Sequence, residues 1–148
     1  MSSEILAREA TTADLDFVGQ DGCVSPEIVA RRIERHEVVV AECDGRRVGY
    51  VRLEYLWSLI PYIGMIRVSE DHRRRGVGRA MLGFIEAFLR ERGHEALYSS
   101  SQADEPEPQA WHRHMGFQEC GIITGMNEGG VGEVFFRKRL THTEHDQA

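Results

Sequence analysis

No apolar run in the sequence approaches the ~20 residues that a membrane-spanning helix needs. The opening Met-Ser-Ser-Glu-Ile-Leu lacks a basic segment followed by an apolar core, so it does not read as a secretory signal. Cysteine is scarce: three residues, at positions 23, 43 and 120, with no paired spacing. An odd count without a metal-like motif reads as free, mostly buried thiols in a reducing compartment. A cytoplasmic protein with no metal and no membrane partner is expected. An excess of basic charge is also missing, since the formal net charge is −6. That counts against nonspecific nucleic-acid binding, which depends on neutralising phosphates. It leaves room for a cationic small molecule or peptide.

What is present suits one compact domain. The chain has 148 residues, 41% hydrophobic and 28% charged, which is a globular composition. The domain is expected over 1–140, followed by a polar tail over 141–148. Patterning predicts strands at Ile5–Arg8, Val38–Ala41, Val48–Trp57, Tyr62–Val68, Ala96–Ser101, Phe117–Thr124 and Glu133–Leu140. Asp44-Gly45 is a hairpin turn signal. Pro61 is expected to interrupt the chain before the fourth strand. Ser25-Pro26 starts a helix to about His36, with Arg31, Arg32 and Arg35 on a solvated face. The acidic, proline-containing stretch before Gln109 reads as a loop, and a short helix as Gln109–Met115. The expected architecture is α/β, a mixed central sheet of about seven strands flanked by helices.

The most informative stretch runs from Val68 to Leu82. Strand-like residues from Ile60 precede it. After it, Val77, Ala80, Met81, Phe84, Ile85, Phe88 and Leu89 recur at helical spacing. Between strand and helix lie Arg73, Arg74, Arg75, Gly76, Val77, Gly78 and Arg79. Glycines permit a tight turn and close ligand approach. The first N–H groups of a helix lack internal partners and attract anions. The combination describes a phosphate site. No Gly-Lys-Ser/Thr follows, which argues against a nucleotide triphosphatase. Met81 stands where a dinucleotide fingerprint needs its third glycine.

The Arg-x-x-Gly-x-Gly spacing resembles the acyl-CoA-binding motif of the GNAT superfamily of N-acetyltransferases. Ala110-Trp-His-Arg-His-Met-Gly116-Phe117 is similar to a second signature, the helix followed by a Gly-Phe step. The resemblance implies a GNAT-like acyl-CoA N-acyltransferase fold in which the fourth and fifth strands splay and admit the acyl chain. It implies acetyl-CoA as co-substrate, with Arg73 to Arg79 cradling its pyrophosphate. It also implies Ile66, Arg67 and Val68 as the strand that aligns the pantetheine arm. The acceptor would be a primary amine of a small molecule or peptide, attacked directly in a ternary complex. A homodimer is compatible with this reading.

Acyl transfer needs a neutral amine and often a proton donor for the thiolate. The family's usual tyrosine position holds His112, either a general acid or a hydrogen-bonded helix histidine. The family's glutamate on the fifth strand is replaced by Ser99-Ser-Ser101. Glu54 is the candidate base, the alternative being a pair with Arg52 or another surface charge. Asn127 and Glu128, between the last strands, are candidate acceptor contacts or a plain glycine-rich turn. Tyr50, Tyr55, Trp57 and Tyr62 either line an acceptor pocket or pack against helices, while Trp111 and Met115, one turn apart, read as core rather than as a substrate cage. Cys120 is expected to be a buried structural thiol. Two other classes stay open, a catalytically weak acyl-CoA sensor and a nucleic-acid-binding module built on Arg73 to Arg75.

Overall fold

Backbone punctuation organises the sheet. Asp44 and Gly45 take φ of 53° and 75°, the pair of left-handed residues that a tight hairpin turn requires. The turn joins β2 (Val38–Cys43) to β3 (Arg46–Leu56), and Cys43 pairs with Arg46 across it. A second such turn uses Trp57 and Ser58, at φ 53° and 61°. It returns the chain into β4 (Ile60–Val68). Neither residue is a glycine, so composition does not announce this turn. Pro61 does not interrupt the chain as expected; it lies buried inside β4. It directly precedes Tyr62, the register partner of Tyr98.

The computed structural model describes residues 4–140, and the expected tail over 141–148 lies outside them. Besides β2, β3 and β4 it contains β1 (Ile5–Glu9), β5 (Ala96–Gln102), β6 (Gln118–Ile123) and β7 (Glu133–Arg139). Four α-helices accompany them: α1 (Leu15–Val18), α2 (Pro26–Glu34), α3 (Val77–Glu91) and α4 (Pro106–His114). The strands form one mixed sheet in the order β1-β2-β3-β4-β5-β7-β6. β4 and β5 run parallel, whereas β1 and β2, β2 and β3, β5 and β7, and β6 and β7 run antiparallel. Helix α4 starts earlier than expected. Pro106 opens it at a position where the missing N–H would have had no helical partner anyway.

The contacts gather into two compact units. One holds the residues up to Glu54 together with Gly64–Phe88, and the other holds Tyr55–Ile63 together with the residues from Leu89 onward. In the first, Val18, Val29, Ile33, Val38, Val40 and Tyr50 form a buried cluster. Ser25 caps α2, its hydroxyl accepting from the Ile28 amide. Asp14 is buried and accepts from both terminal nitrogens of Arg8, from Arg47 Nε and from the Thr11 amide. In the second unit β5 alternates, with Leu97, Ser99 and Ser101 buried on one face. The register of β6 with β7 shifts between Glu119 and Gly121, which leaves Cys120 as an extra, bulged residue.

Position 49 is crowded. A Cβ there would lie 2.9 Å from the Arg67 carbonyl oxygen, 3.0 Å from Val77 Cγ1 and 3.1 Å from Met81 Cε. Gly83, exposed in the middle of α3, faces open space. Gly49→Ala is therefore expected to destabilise the protein by about 1–3 kcal/mol through overpacking. Gly83→Ala is expected to stabilise it by up to about 1 kcal/mol through helix propensity. Urea unfolding of the two variants beside wild type measures both signs.

Candidate active site

The loop between β4 and α3 is built for close approach to an anion. Arg74 and Gly76 adopt φ of 64° and 86°, and space above Gly76 is open. The Ala80 amide reaches back to the Gly76 carbonyl, the first bond of α3. The amides at the start of this helix precede that ladder, and its first turn carries no acidic residue. Gly76 has no side chain to cap them. Arg73, Arg74, Arg75 and Arg79 are exposed around them, and Val77 is buried as the helix anchor. Arg73 Nε donates to the Val68 carbonyl at 3.4 Å. A cleft of about 220 Å³ opens beside the loop, with Phe17, Tyr50, Arg67, Ser69 and Arg73 in its lining. Glu70 also lines the cleft, but the helix start itself, with no acid in its first turn and four guanidinium groups around it, suits a polyanion such as a pyrophosphate.

Beneath this cleft lies an ion pair that sequence reasoning missed. Arg52 Nη1 and Asp21 Oδ2 are 2.5 Å apart, and the same oxygen accepts from the Tyr50 hydroxyl. Both charged side chains are nearly fully buried, at 6% and 4% exposure. The Arg52 guanidinium holds the Asp21 carboxyl far below the usual carboxylate range. Asp21 sits in the stretch that ends α1, where nothing in the pattern marks it as a partner. Arg52 is therefore not available to Glu54. The Glu54 carboxylate instead lies over the backbone of Gly64 on β4, in space that any Cβ at position 64 would fill. It is half-buried, as is Ile66 further along that strand.

In the second unit His112 is buried, at 3% exposure. Its ring stacks on Phe136 with centroids 4.5 Å apart. Nδ1 lies 2.7 Å from the Pro108 carbonyl oxygen, and Nε2 lies 2.7 Å from Ser99 Oγ. Burial pushes the His112 pKa down, which keeps the ring neutral. A carbonyl can only accept, so the single ring proton sits on Nδ1. Nε2 then accepts from the Ser99 hydroxyl.

On the opposite face of β5, Ser100 Oγ donates to Glu133 Oε2 at 2.5 Å. Tyr62 Oη is 2.5 Å from the same hydroxyl, and Asn127 Nδ2 donates to Glu133 Oε1 at 2.9 Å. Asn127 thus joins a polar network, while Glu128 is exposed at the start of a short 3₁₀ turn over Glu128–Gly130. Sequence reasoning missed Ser100 and Glu133 as partners. The alternation of two strands placed each on a half-buried face, but only the β5–β7 register brings them together.

Several expectations change. Cys120 and Cys23 are exposed, not buried, and only Cys43 is buried. The bulge turns Cys120 out of the β6 ladder. Arg32 is half-buried and donates to Glu37 and to the Leu53 carbonyl, whereas Arg31 and Arg35 are exposed as expected. Tyr50 is buried, Met115 is buried, and Trp57 stands 83% exposed at the tip of its turn. Among the described residues no His, Cys, Asp and Glu group could hold a metal ion, and no helix is long and apolar enough to cross a membrane.

Comparison with known proteins agrees with this geometry. The model of the Acetyltransferase (GNAT) family matches residues 7–117, and the chain belongs to that family. Streptothricin acetyltransferase of Streptomyces lavendulae is 29% identical over 78% of this chain and 59% of its own length. The chain thus spans little more than half of that relative. The ribosomal-protein-alanine N-acetyltransferase structure from Brucella melitensis superposes with a TM-score of 0.76 at 25% identity, covering 90% of this chain and 99% of that one. A Salmonella typhimurium protein solved with acetyl-CoA as its cofactor has the same fold: TM-score 0.78, 18% identity, 93% and 95% coverage.

The His112 geometry has a thermodynamic consequence. A histidine whose folded pKa is depressed stabilises the fold above its unfolded value of about 6.5. That stability is lost as the pH falls and the unfolded chain binds the extra proton. Denaturation midpoints are therefore expected to drop as the pH is lowered below about 6.5. His112→Phe, which leaves the Ser99 hydroxyl unpaired, should cost about 1–3 kcal/mol at neutral pH. It should also flatten that part of the pH dependence.

Proposed function

We propose that residues 1–140 act as one acetyl-CoA-dependent N-acetyltransferase domain whose acceptor is a primary amine of a small molecule or peptide. The observation that carries the reading is the loop Arg73–Arg79: left-handed turns, a helix start free of acidic residues and exposed arginines in a chain of the GNAT family. In this proposal Arg73, Arg74, Arg75, Gly76, Val77, Gly78 and Arg79 hold the pyrophosphate, and Ile66 to Val68 align the pantetheine arm. The acetyl-CoA complex of the Salmonella neighbour supports the same co-substrate.

Transfer is direct. The neutral amine attacks the thioester carbonyl, the C–N bond forms, the C–S bond breaks, and the departing sulfur takes a proton. Glu54 is proposed to take the proton that the incoming ammonium must lose; its half-buried carboxylate against Gly64 supports that role. His112 is proposed as a positioning residue, because its one proton is committed to the Pro108 carbonyl. That commitment is also what favours the rival reading, a catalytically weak acyl-CoA sensor. Mass spectrometry of an amine panel incubated with protein and acetyl-CoA separates the two, since a sensor leaves every amine unmodified.

Acetyl-CoA at about 100 times its Kd is expected to stabilise the folded state by about 2.7 kcal/mol. This should be read as a rise in Tm, with pyrophosphate-free fragments giving far less. Gly78→Glu should abolish the shift while the unliganded variant stays folded. Glu54→Gln should lower kcat by about 10²-fold or more, with acetyl-CoA binding retained. No shift with wild type at millimolar acetyl-CoA rules out the cradle.

A further inference from the structure

The cleft beside the loop Arg73–Arg79 lies wholly within the first unit. Under it runs a chain of polar contacts. Arg52 binds both oxygens of Asp21, Nη1 donating to Oδ2 and Nη2 to Oδ1, and Nη1 also donates to the Val18 carbonyl. The Cys23 amide adds a bond to Asp21 Oδ1, and the Tyr50 hydroxyl adds one to Oδ2. The carboxylate is thus fully bonded, and Arg52 meets its charge. The Arg67 guanidinium lies against the same Tyr50 hydroxyl and lines the cleft together with Arg73. Among the described residues neither Arg67 nor Arg73 forms an ion pair, with Glu70 or with any other acid. A chain of net charge −6 therefore keeps two uncompensated guanidinium groups in one cleft. A planar guanidinium with free N–H groups matches a carboxylate and repels an ammonium.

We propose that Arg67, braced by Tyr50 and through it by Asp21 and Arg52, is a specificity-determining residue that seats a carboxylate of the acceptor. The two cations of the cleft divide by position. Arg73 belongs to the loop assigned to the pyrophosphate. Arg67 stands between Ile66 and Val68, the residues assigned to the pantetheine arm that carries the thioester. Val68 lines the cleft itself, so the seat and the coenzyme strand share one cavity of one unit. A guanidinium near the acceptor also disfavours its ammonium form, which leaves more of the neutral amine that the attack requires. The acceptor is then an amino acid or another amine that bears an acid, and a purely cationic amine is disfavoured. The inference rests on the N-acetyltransferase reading and adds to it the residue that chooses the acceptor.

The test compares L-alanine, 3-aminopropanoate and 4-aminobutanoate with their carboxamides, which match them in length and lack the negative charge. Wild type is expected to favour at least one acid over its amide by about 10-fold or more in kcat/KM, carried by KM. Arg67→Gln should bring that ratio to about 1, and Arg67→Lys should restore part of it. Tyr50→Phe removes the brace and leaves Asp21 its bonds to Arg52 and Cys23, so it should lower the ratio by about 3- to 10-fold. A wild-type ratio near 1 overturns the seat. So does an Arg67→Gln variant that slows acids and amides alike, because that is the effect of lost packing. 3′-Dephospho-acetyl-CoA tests a second source of the same anion chemistry. If Arg67→Gln weakens binding of acetyl-CoA and not of the dephospho form, Arg67 reads the coenzyme phosphate and the seat is overturned. If wild type acetylates only amines without a carboxylate, the seat falls and the acetyltransferase reading stands. If it binds acetyl-CoA by thermal shift but modifies none of these amines, peptide amines or streptothricin, both fall.

Discussion

The absence of a side chain at position 49 is the constraint on which the first unit depends. β3, the Arg67 carbonyl of β4 and the first two turns of α3 all converge on that point, within about van der Waals distance of a Cβ that is not there. The register of β2 against β3 slips beside it, between Ala41 and Glu42. The neighbouring Val48 carbonyl accepts from the Ser69 amide, where the chain leaves β4. Strand, loop entry and helix start are thereby held in one geometry. The loop that follows can then spend its conformational freedom on left-handed turns at Arg74 and Gly76 without losing its place. A phosphate loop is only useful if its amides point one way, and here their direction is set from below by backbone packing.

What could be read in advance was what local rules govern. The Asp44-Gly45 turn, the Ser25-Pro26 cap, the amphipathic α3 and the Arg-x-x-Gly-x-Gly loop each depend on residues a few positions apart, and each stands where local physics puts it. The misreadings share a different cause. Pro61 and the prolines of α4 read as breaks in the pattern, yet Pro61 lies inside β4 and Pro106 opens α4 at a position with no helical partner for an N–H. Trp57-Ser58 makes a turn at positive φ without the glycine, asparagine or aspartate that usually marks one. The exposure of Cys120 follows from a bulge that appears only once β6 meets β7.

The site divides along the same line. The arginines and glycines of the loop lie in one short segment and were visible. Asp21 with Arg52, His112 with Ser99, and Glu133 with Ser100 join residues 13 to 33 positions apart. Such pairs are made by register and helix docking, which no single-chain period encodes. The run Ser99-Ser100-Ser101 illustrates the point. As a string it reads as the loss of a glutamate; in the sheet its alternate residues serve two faces. Ser99 closes a buried bond to His112, and Ser100 orients a carboxylate supplied by the neighbouring strand.

The bulge at Cys120 also bears on how these molecules behave in a crowd. β6 is the last strand in the sheet order, exposed along its whole length, and it carries Ile122 and Ile123 outward at 58% and 47% exposure. A straight, apolar edge of that kind is a template on which another chain can add a strand and begin to aggregate. The extra residue interrupts the even row of amides and carbonyls midway, so an incoming strand can stay in register for only two or three residues on either side. A local irregularity in pairing thus limits strand addition along an edge whose one charged residue is Glu119.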